Sequence, residues 1–288
     1  MLRMSFMDHL EELRSRILKA LGGVGIAFVL SLTFCSELWK IVSAPATDAL
    51  KKLGASDKLT LITPMEAFNI VWVKLPILTA IFIASPWILY QVWGFIAPGL
   101  YKKERRWAAP FVICSAGLFI AGGCFGYFVA FRYGLTFLLG LAVSNNVMPM
   151  VSMTEYFDLF VDVMLGIGLI FEMPVLIFFL TLLHITSPRF LIAHSRYAIL
   201  TITILAAVVT PTPDVFNMML FAVPMCLLFY VGIFASYLLV LHREKRAFPW
   251  RKALTWVIPI LLLLAAIGYF AAMRYGYHFI QHWPFFAR

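Results

Sequence analysis

The chain has 288 residues, 62% of them apolar and 13% charged, with a mean hydropathy of +0.92. Soluble globular proteins run about 45–50% apolar and about 25% charged, and 23 Lys and Arg with 14 Asp and Glu cannot cover this chain with a polar skin. Composition therefore excludes an ordinary soluble enzyme, a disordered chain, a collagen and a small disulfide scaffold, and leaves a polytopic membrane protein.

In chain order, residues 1–16 are polar-rich, with Asp8, Glu11, Glu12, Arg14 and Arg16. No small-residue cleavage site closes the apolar run that follows, so this N-terminus is expected to be retained rather than removed as a signal peptide. A spanning helix needs about 20 mostly apolar residues, because the hydrocarbon layer is about 30 Å thick and each residue rises about 1.5 Å. Apolar runs predict spans near 17–36, 69–96, 109–131, 156–183, 194–210, 215–241 and 253–273. The fifth is short: only Ala198–Thr210 is free of charge, about 20 Å of helix, so it calls for tilt or a thinned bilayer. Thr210-Pro211-Thr212-Pro213-Asp214 then turns the chain back, since proline lacks an N–H and blocks helix continuation. Two connections, Glu37–Glu66 and Arg132–Glu155, are long enough for structure of their own. The first holds an amphipathic stretch over Leu38–Leu53 closed by Gly54, the second an apolar one over Leu135–Val143; both are expected to form short helices at the membrane surface.

The net charge of +9 reads as topology, with no call for a nucleic-acid partner, because Lys and Arg collect on cytoplasmic loops. With the N-terminus inside, 15 of the 23 basic residues fall on inner segments, the largest groups being Lys102–Arg106 and Arg243–Lys252. Seven spans then put the C-terminus outside. The four cysteines lie in apolar stretches without a CxxC pair, and no His or Cys stands at metal spacing, so no metal site is expected. The six histidines are scattered at membrane edges, no hydrolase, phosphate-loop or dinucleotide motif is present, and no cofactor or enzymatic activity is expected.

The informative residues are acids. Glu172, in Ile170-Phe171-Glu172-Met173-Pro174, falls near the middle of the fourth span, where an acid costs about 2.5–3.5 kcal/mol on insertion scales. It must face a partner helix, a wet groove or a neighbour within the bundle. Pro174 frees a carbonyl one turn back, which adds to a polar gap there. Glu12 has Arg16 at i,i+4 and, taken alone, reads as half of a solvated surface ion pair. Glu104 is the one acid in Lys102-Lys103-Glu104-Arg105-Arg106. Together, Glu12 and Glu104 place carboxylates on an otherwise basic inner surface, and a carboxylate is the natural bidentate partner of a guanidinium.

These motifs resemble the TatC family, the polytopic receptor subunit of the twin-arginine protein translocase. The likeness rests on His9-Leu10-Glu11-Glu12-Leu13-Arg14-Ser15-Arg16, on Pro45, and on Phe95-Ile96-Ala97-Pro98-Gly99-Leu100 followed by Glu104-Arg105. Phe171-Glu172-Met173-Pro174 and Thr210-Pro211-Thr212-Pro213-Asp214 complete it, in the same order over roughly residues 5–245. The resemblance implies an all-α, concave, glove-shaped six-helix membrane core that binds twin-arginine signal peptides of folded precursor proteins and nucleates translocase assembly, driven by the proton-motive force. It implies that Glu12, Glu104, Arg14 and Arg105 serve signal-peptide binding. It further implies that Glu172, with Pro174, marks the intramembrane position where single-span TatA/TatB-type partners dock, and that Pro45 and Asp214 are outer-surface positions tied to fold or function. The implied setting is a self-associating complex in the inner (plasma) membrane. The family usually has six spans, so residues 246–288, with the basic linker and the run at 253–273, read as an appendage to a core of residues 1–245. The competing class is a secondary transporter or channel with Glu172 as proton relay, which the scarcity of mid-membrane charges disfavours.

Overall fold

The computed structural model describes residues 6–54, 58–96, 108–210 and 214–244, and the pairs 278–279 and 286–287. The chain divides into two compact units, Met1–Tyr237 and Leu238–Arg288. In the second, the described residues are the end of the last long helix and a two-residue antiparallel ladder, His278–Phe279 against Phe286–Ala287. The expected seventh span, residues 253–273, lies outside the described residues.

The first unit is a helical membrane bundle. Helix α1 (Phe6–Leu32) carries the polar N-terminal stretch and the first apolar run in one rod. It ends in a tight turn at Thr33-Phe34 and is followed at once by α2 (Cys35–Lys52), which buries Val42, Pro45, Ala46, Ala49 and Leu50 and leaves Lys40, Lys51 and Lys52 exposed. Gly54, at φ +70°, closes α2 in the left-handed conformation that costs glycine nothing. Helix α3 (Pro64–Ile96) starts five residues before the predicted span. A capping box explains the early start: the Thr63 and Ile62 amides donate to the Glu66 carboxylate at 3.2 Å each, and Pro64 takes the first helical position.

Helix α4 (Pro110–Ser144) corrects the expected organisation of its connection. The apolar stretch over Leu135–Val143 is no separate surface helix: the span runs on through a π turn at Gly126–Phe131 into Arg132–Ser144. Arg132, which looks like a stop signal in the sequence, pairs with Asp48 of α2, so its charge no longer ends the helix. Helix α5 (Met153–Leu182) is broken once, at Glu172, into Met153–Phe171 and Met173–Leu182. The short α6 (Pro188–Ala193), capped by the Ser187 hydroxyl, leads into α7 (Ser195–Val209). At 15 residues, α7 is about 22 Å long and falls short of the hydrocarbon thickness, as predicted. Helix α8 (Val215–Arg243) closes the series.

The core centres on α5. Its Tyr156, Phe157, Phe160, Val163, Met164 and Ile167 are buried against Phe131 and Leu135 of α4, Phe221, Met225 and Phe229 of α8, and Val42 and Ala46 of α2. Small residues set the closest approaches, as expected where hydrocarbon offers no hydrophobic drive between helices: a Cβ on Gly232 of α8 would stand 2.8 Å from the Pro174 Cα. A separate cluster of Ala27, Ala80 and Ala84 packs α1 on α3. The outward faces carry large exposed apolar residues, among them Ile26, Ile113, Leu169 and Val208, the signature of a lipid-facing surface.

Candidate functional site

At the end of the bundle that holds the N-terminus, the first turns of α1 lie against the last turns of α3. Glu12 and Arg16 fall on the same face of α1, and Arg16 Nη2 donates to Glu12 Oε1 at 3.4 Å. The guanidinium is also bound to α3: Nη1 donates to Gln91 Oε1 and Nη2 to the Gly94 carbonyl, both at 3.3 Å. Gly94 lies in the last turn of α3, where backbone carbonyls lack helical partners and a cation meets the negative end of the helix dipole. Next to this anchor the His9 ring stacks on Phe95 with centroids 4.4 Å apart, and Trp87 Nε1 donates to the Lys19 carbonyl at 2.8 Å.

Burial separates this pair from a solvated surface ion pair. The side chains of Glu12 and Arg16 are 18% and 27% exposed, and Gln91 is buried. The second carboxylate oxygen, Glu12 Oε2, is shielded from solvent and has no hydrogen-bond partner among the described residues. Arg14 lies on the exposed side of the same turn and takes no part in the pair. Glu104 and Arg105 lie outside the described residues, between the end of α3 and the start of α4.

The second acidic site is the break in α5. The Glu172 amide turns back to the Leu169 carbonyl at 3.1 Å, and the Glu172 carbonyl accepts from Leu176 N at 2.9 Å, so the backbone bonds close around the missing donor of Pro174. Ser115, buried in α4, donates its hydroxyl to Glu172 Oε2 at 2.5 Å. Glu172 Oε1 has no partner among the described residues. The expected polar gap is present, one acceptor filled from within the bundle and one open to a donor.

At the opposite end the two remaining predicted positions have structural work. Pro45 lies within α2 and is fully buried; its missing N–H frees the Ile41 carbonyl, which accepts the Tyr127 hydroxyl of α4 at 2.8 Å. Tyr156 of α5 adds a 2.5 Å bond to the next carbonyl, Val42. Asp214 caps α8: its two carboxylate oxygens accept from the Asn217 amide and Asn217 Nδ2, each at 2.8 Å. Sequence reasoning did not single out Tyr127, Tyr156, Ser115 or Gln91. The proline signals a carbonyl in need of a donor and Glu172 one in need of a polar neighbour, but neither names the distant residue that answers. The same end is tied by Lys74–Asp158 at 2.6 Å and by Thr60, whose amide and carbonyl bond to Val151 and Met153 at 2.9 Å each. Among the described residues no group of three or more His, Cys, Asp or Glu comes together to hold a metal, and the cysteines are free thiols.

The family model for the Sec-independent protein translocase protein TatC matches residues 8–224 of the chain. This chain belongs to the TatC family. A TatC from Koribacter versatilis is 42% identical over 243 residues, covering 84% of this chain and 88% of that one. TatCy from Bacillus subtilis is 32% identical over 239 residues, 81% of this chain and 89% of its own. The crystal structure of the twin arginine translocase receptor TatC superimposes with a TM-score of 0.67 at 31% identity, covering 80% of this chain and 98% of that one. The same receptor crystallised in DDM gives 0.69 over 79% and 99%. Family membership and several long apolar helices together make this a multi-pass inner-membrane component of a Tat translocase. All the described site residues named above lie within the matched 8–224, so the anchored Glu12, the α5 break and the Asp214 cap belong to the TatC part of the chain.

Proposed function

We propose that this TatC chain is the receptor of its translocase, holding the paired arginines of a signal peptide at Glu12 and Glu104 on the cytoplasmic surface, with Arg14 and Arg105 beside them. The observation that carries this reading is Glu12 itself: a shielded carboxylate at the bundle end, one oxygen engaged by Arg16 and the other without a partner among the described residues. A guanidinium offers the matching donors, and charge-assisted bonds of this kind contribute about 1.5–3 kcal/mol each. The bias of Lys and Arg toward that end supports a cytoplasmic N-terminus, and the run at 253–273, read as a seventh span, takes the C-terminus across the membrane.

The apolar part of the signal peptide then runs along the bundle beside Glu172, whose unfilled Oε1 is also the docking point we assign to single-span partners of the TatA/TatB type. Export of folded precursors, self-association into a multi-subunit complex and drive by the proton-motive force complete the reading; no chemical step is assigned to the chain. Cross-linking a twin-arginine signal peptide to the Glu12→Ala and Glu104→Ala variants tests it. Both variants are expected to lose most of the cross-link while folding normally. Wild-type cross-linking in both would remove the assignment.

A further inference from the structure

Glu12 and Arg16 alone make a weak pair. At 3.4 Å and one helical turn apart, such a contact adds only about 0.2–0.5 kcal/mol to a helix and does little to fix either side chain. What fixes the guanidinium is the other helix. The buried Gln91 amide oxygen and the Gly94 carbonyl of α3 each accept from it at 3.3 Å, and it lies directly on the backbone at Gly94: a Cβ there would fall 2.5 Å from Nη1 and 2.6 Å from Cζ. The absence of a side chain at residue 94 is therefore a condition of the contact. Planar geometry makes the arrangement specific to arginine, because a guanidinium fork reaches separate acceptors in fixed directions while an ammonium is a point charge on a flexible stem.

We propose that Arg16 is a positioning residue for Glu12: anchored to α3 by Gln91 and Gly94, it holds Glu12 Oε1 and so fixes the plane of the carboxylate that an incoming guanidinium must engage. The inference rests on the reading of Glu12 as a guanidinium acceptor. It assigns to α3 a part in recognition that acts through Arg16. A fixed, planar acceptor discriminates between arginine and lysine, whereas a freely rotating carboxylate attracts either cation. The role of Arg16 is therefore in the selectivity of binding more than in its bulk strength.

The test is equilibrium binding of two synthetic peptides to the full chain in lipid nanodiscs, one with paired arginines before an apolar segment and one with paired lysines. The variants are Arg16→Lys, which keeps the charge, and Gly94→Ala, which keeps every functional group and displaces the guanidinium with one methyl. Both are expected to lower affinity for the arginine peptide by about tenfold, with less than a threefold change for the lysine peptide, so that the preference collapses. A merely structural role for Arg16 would weaken both peptides by the same factor. That result in both variants, or an unchanged preference in both, overturns the proposal. Glu12→Gln in the same assay separates the two readings. If it binds the arginine peptide like wild type, Glu12 is not the acceptor and both readings fall. If it loses binding while the Arg16 and Gly94 variants keep the preference, only the positioning role falls.

Discussion

At the scale of single residues, much of this chain's polar chemistry consists of side chains repairing what proline and charge leave open inside a membrane. Ser85 donates to the Phe82 carbonyl at 2.8 Å, the acceptor freed by Pro86, and Tyr127 does the same for the carbonyl freed by Pro45. The second repair predicts a coupling. Tyr127→Phe should cost about 0.5–1.5 kcal/mol of stability in detergent unfolding. In the Pro45→Ala background the restored N–H serves the Ile41 carbonyl, and the same substitution should cost close to nothing. A cycle with no interaction between the two sites would contradict the pairing. The need for these donors is legible in the sequence, since each internal proline announces a free carbonyl four residues back. The donor's identity is not, because Tyr127 is 86 residues from Ile41 and only the fold brings them together. Glu172 follows the same logic: its position in an apolar span signals a polar neighbour, and the neighbour is Ser115, 57 residues away.

At the scale of elements, apolar runs predict which segments form long helices, while helix starts and local departures from α geometry escape them. The Thr63-Pro64-Met65-Glu66 box is a short-range signal that a count of apolar residues passes over, so α3 starts five residues ahead of its predicted span, and Asp214 caps α8 by a contact of the same short range. The π turns described, Asn69–Lys74 and Gly126–Phe131, have no such signature. A span predicted to end at 131 runs on through one of them to Ser144, and Arg132, which follows that predicted end, is paired with Asp48 of α2. The Asp214 cap gives a prediction at this level. Asp214→Ala leaves the Asn217 amide without its acceptor and should lower stability by about 1 kcal/mol, with Asp214→Asn recovering most of the loss. Full function in Asp214→Ala at a lowered melting temperature would identify the residue as a cap alone. Lost function with unchanged melting would show a role beyond capping.

At the scale of the whole molecule, composition alone establishes a polytopic membrane protein, and the matched TatC structures confirm the helical bundle for most of the chain. Depth and sidedness come from charge. With the N-terminus inside, a cysteine placed at Gly54 should react with a membrane-impermeant maleimide added to intact cells, while one placed at Glu11 should react only after the membrane is opened. The reverse pattern would invert the topology and take Glu12 away from the cytosol. The surroundings of Glu12 are less readable than the scaffold. The sequence marks Glu12 as an inner-surface carboxylate beside Arg16, but not the anchoring of that pair on Gln91 and Gly94, which depends on how α1 leans on α3 and which no local spacing encodes.

In the proposed reading, the carboxylate of Glu12 receives a guanidinium from outside the chain. The most direct measurement is the equilibrium affinity of the purified, lipid-embedded protein for a twin-arginine signal peptide, wild type against Glu12→Gln, an exchange that preserves size and removes the charge. The expected result is a loss of one to two decades in affinity, matching a charge-assisted bond of about 1.5–3 kcal/mol, with the melting temperature little changed. Equal affinity in the two proteins would contradict it.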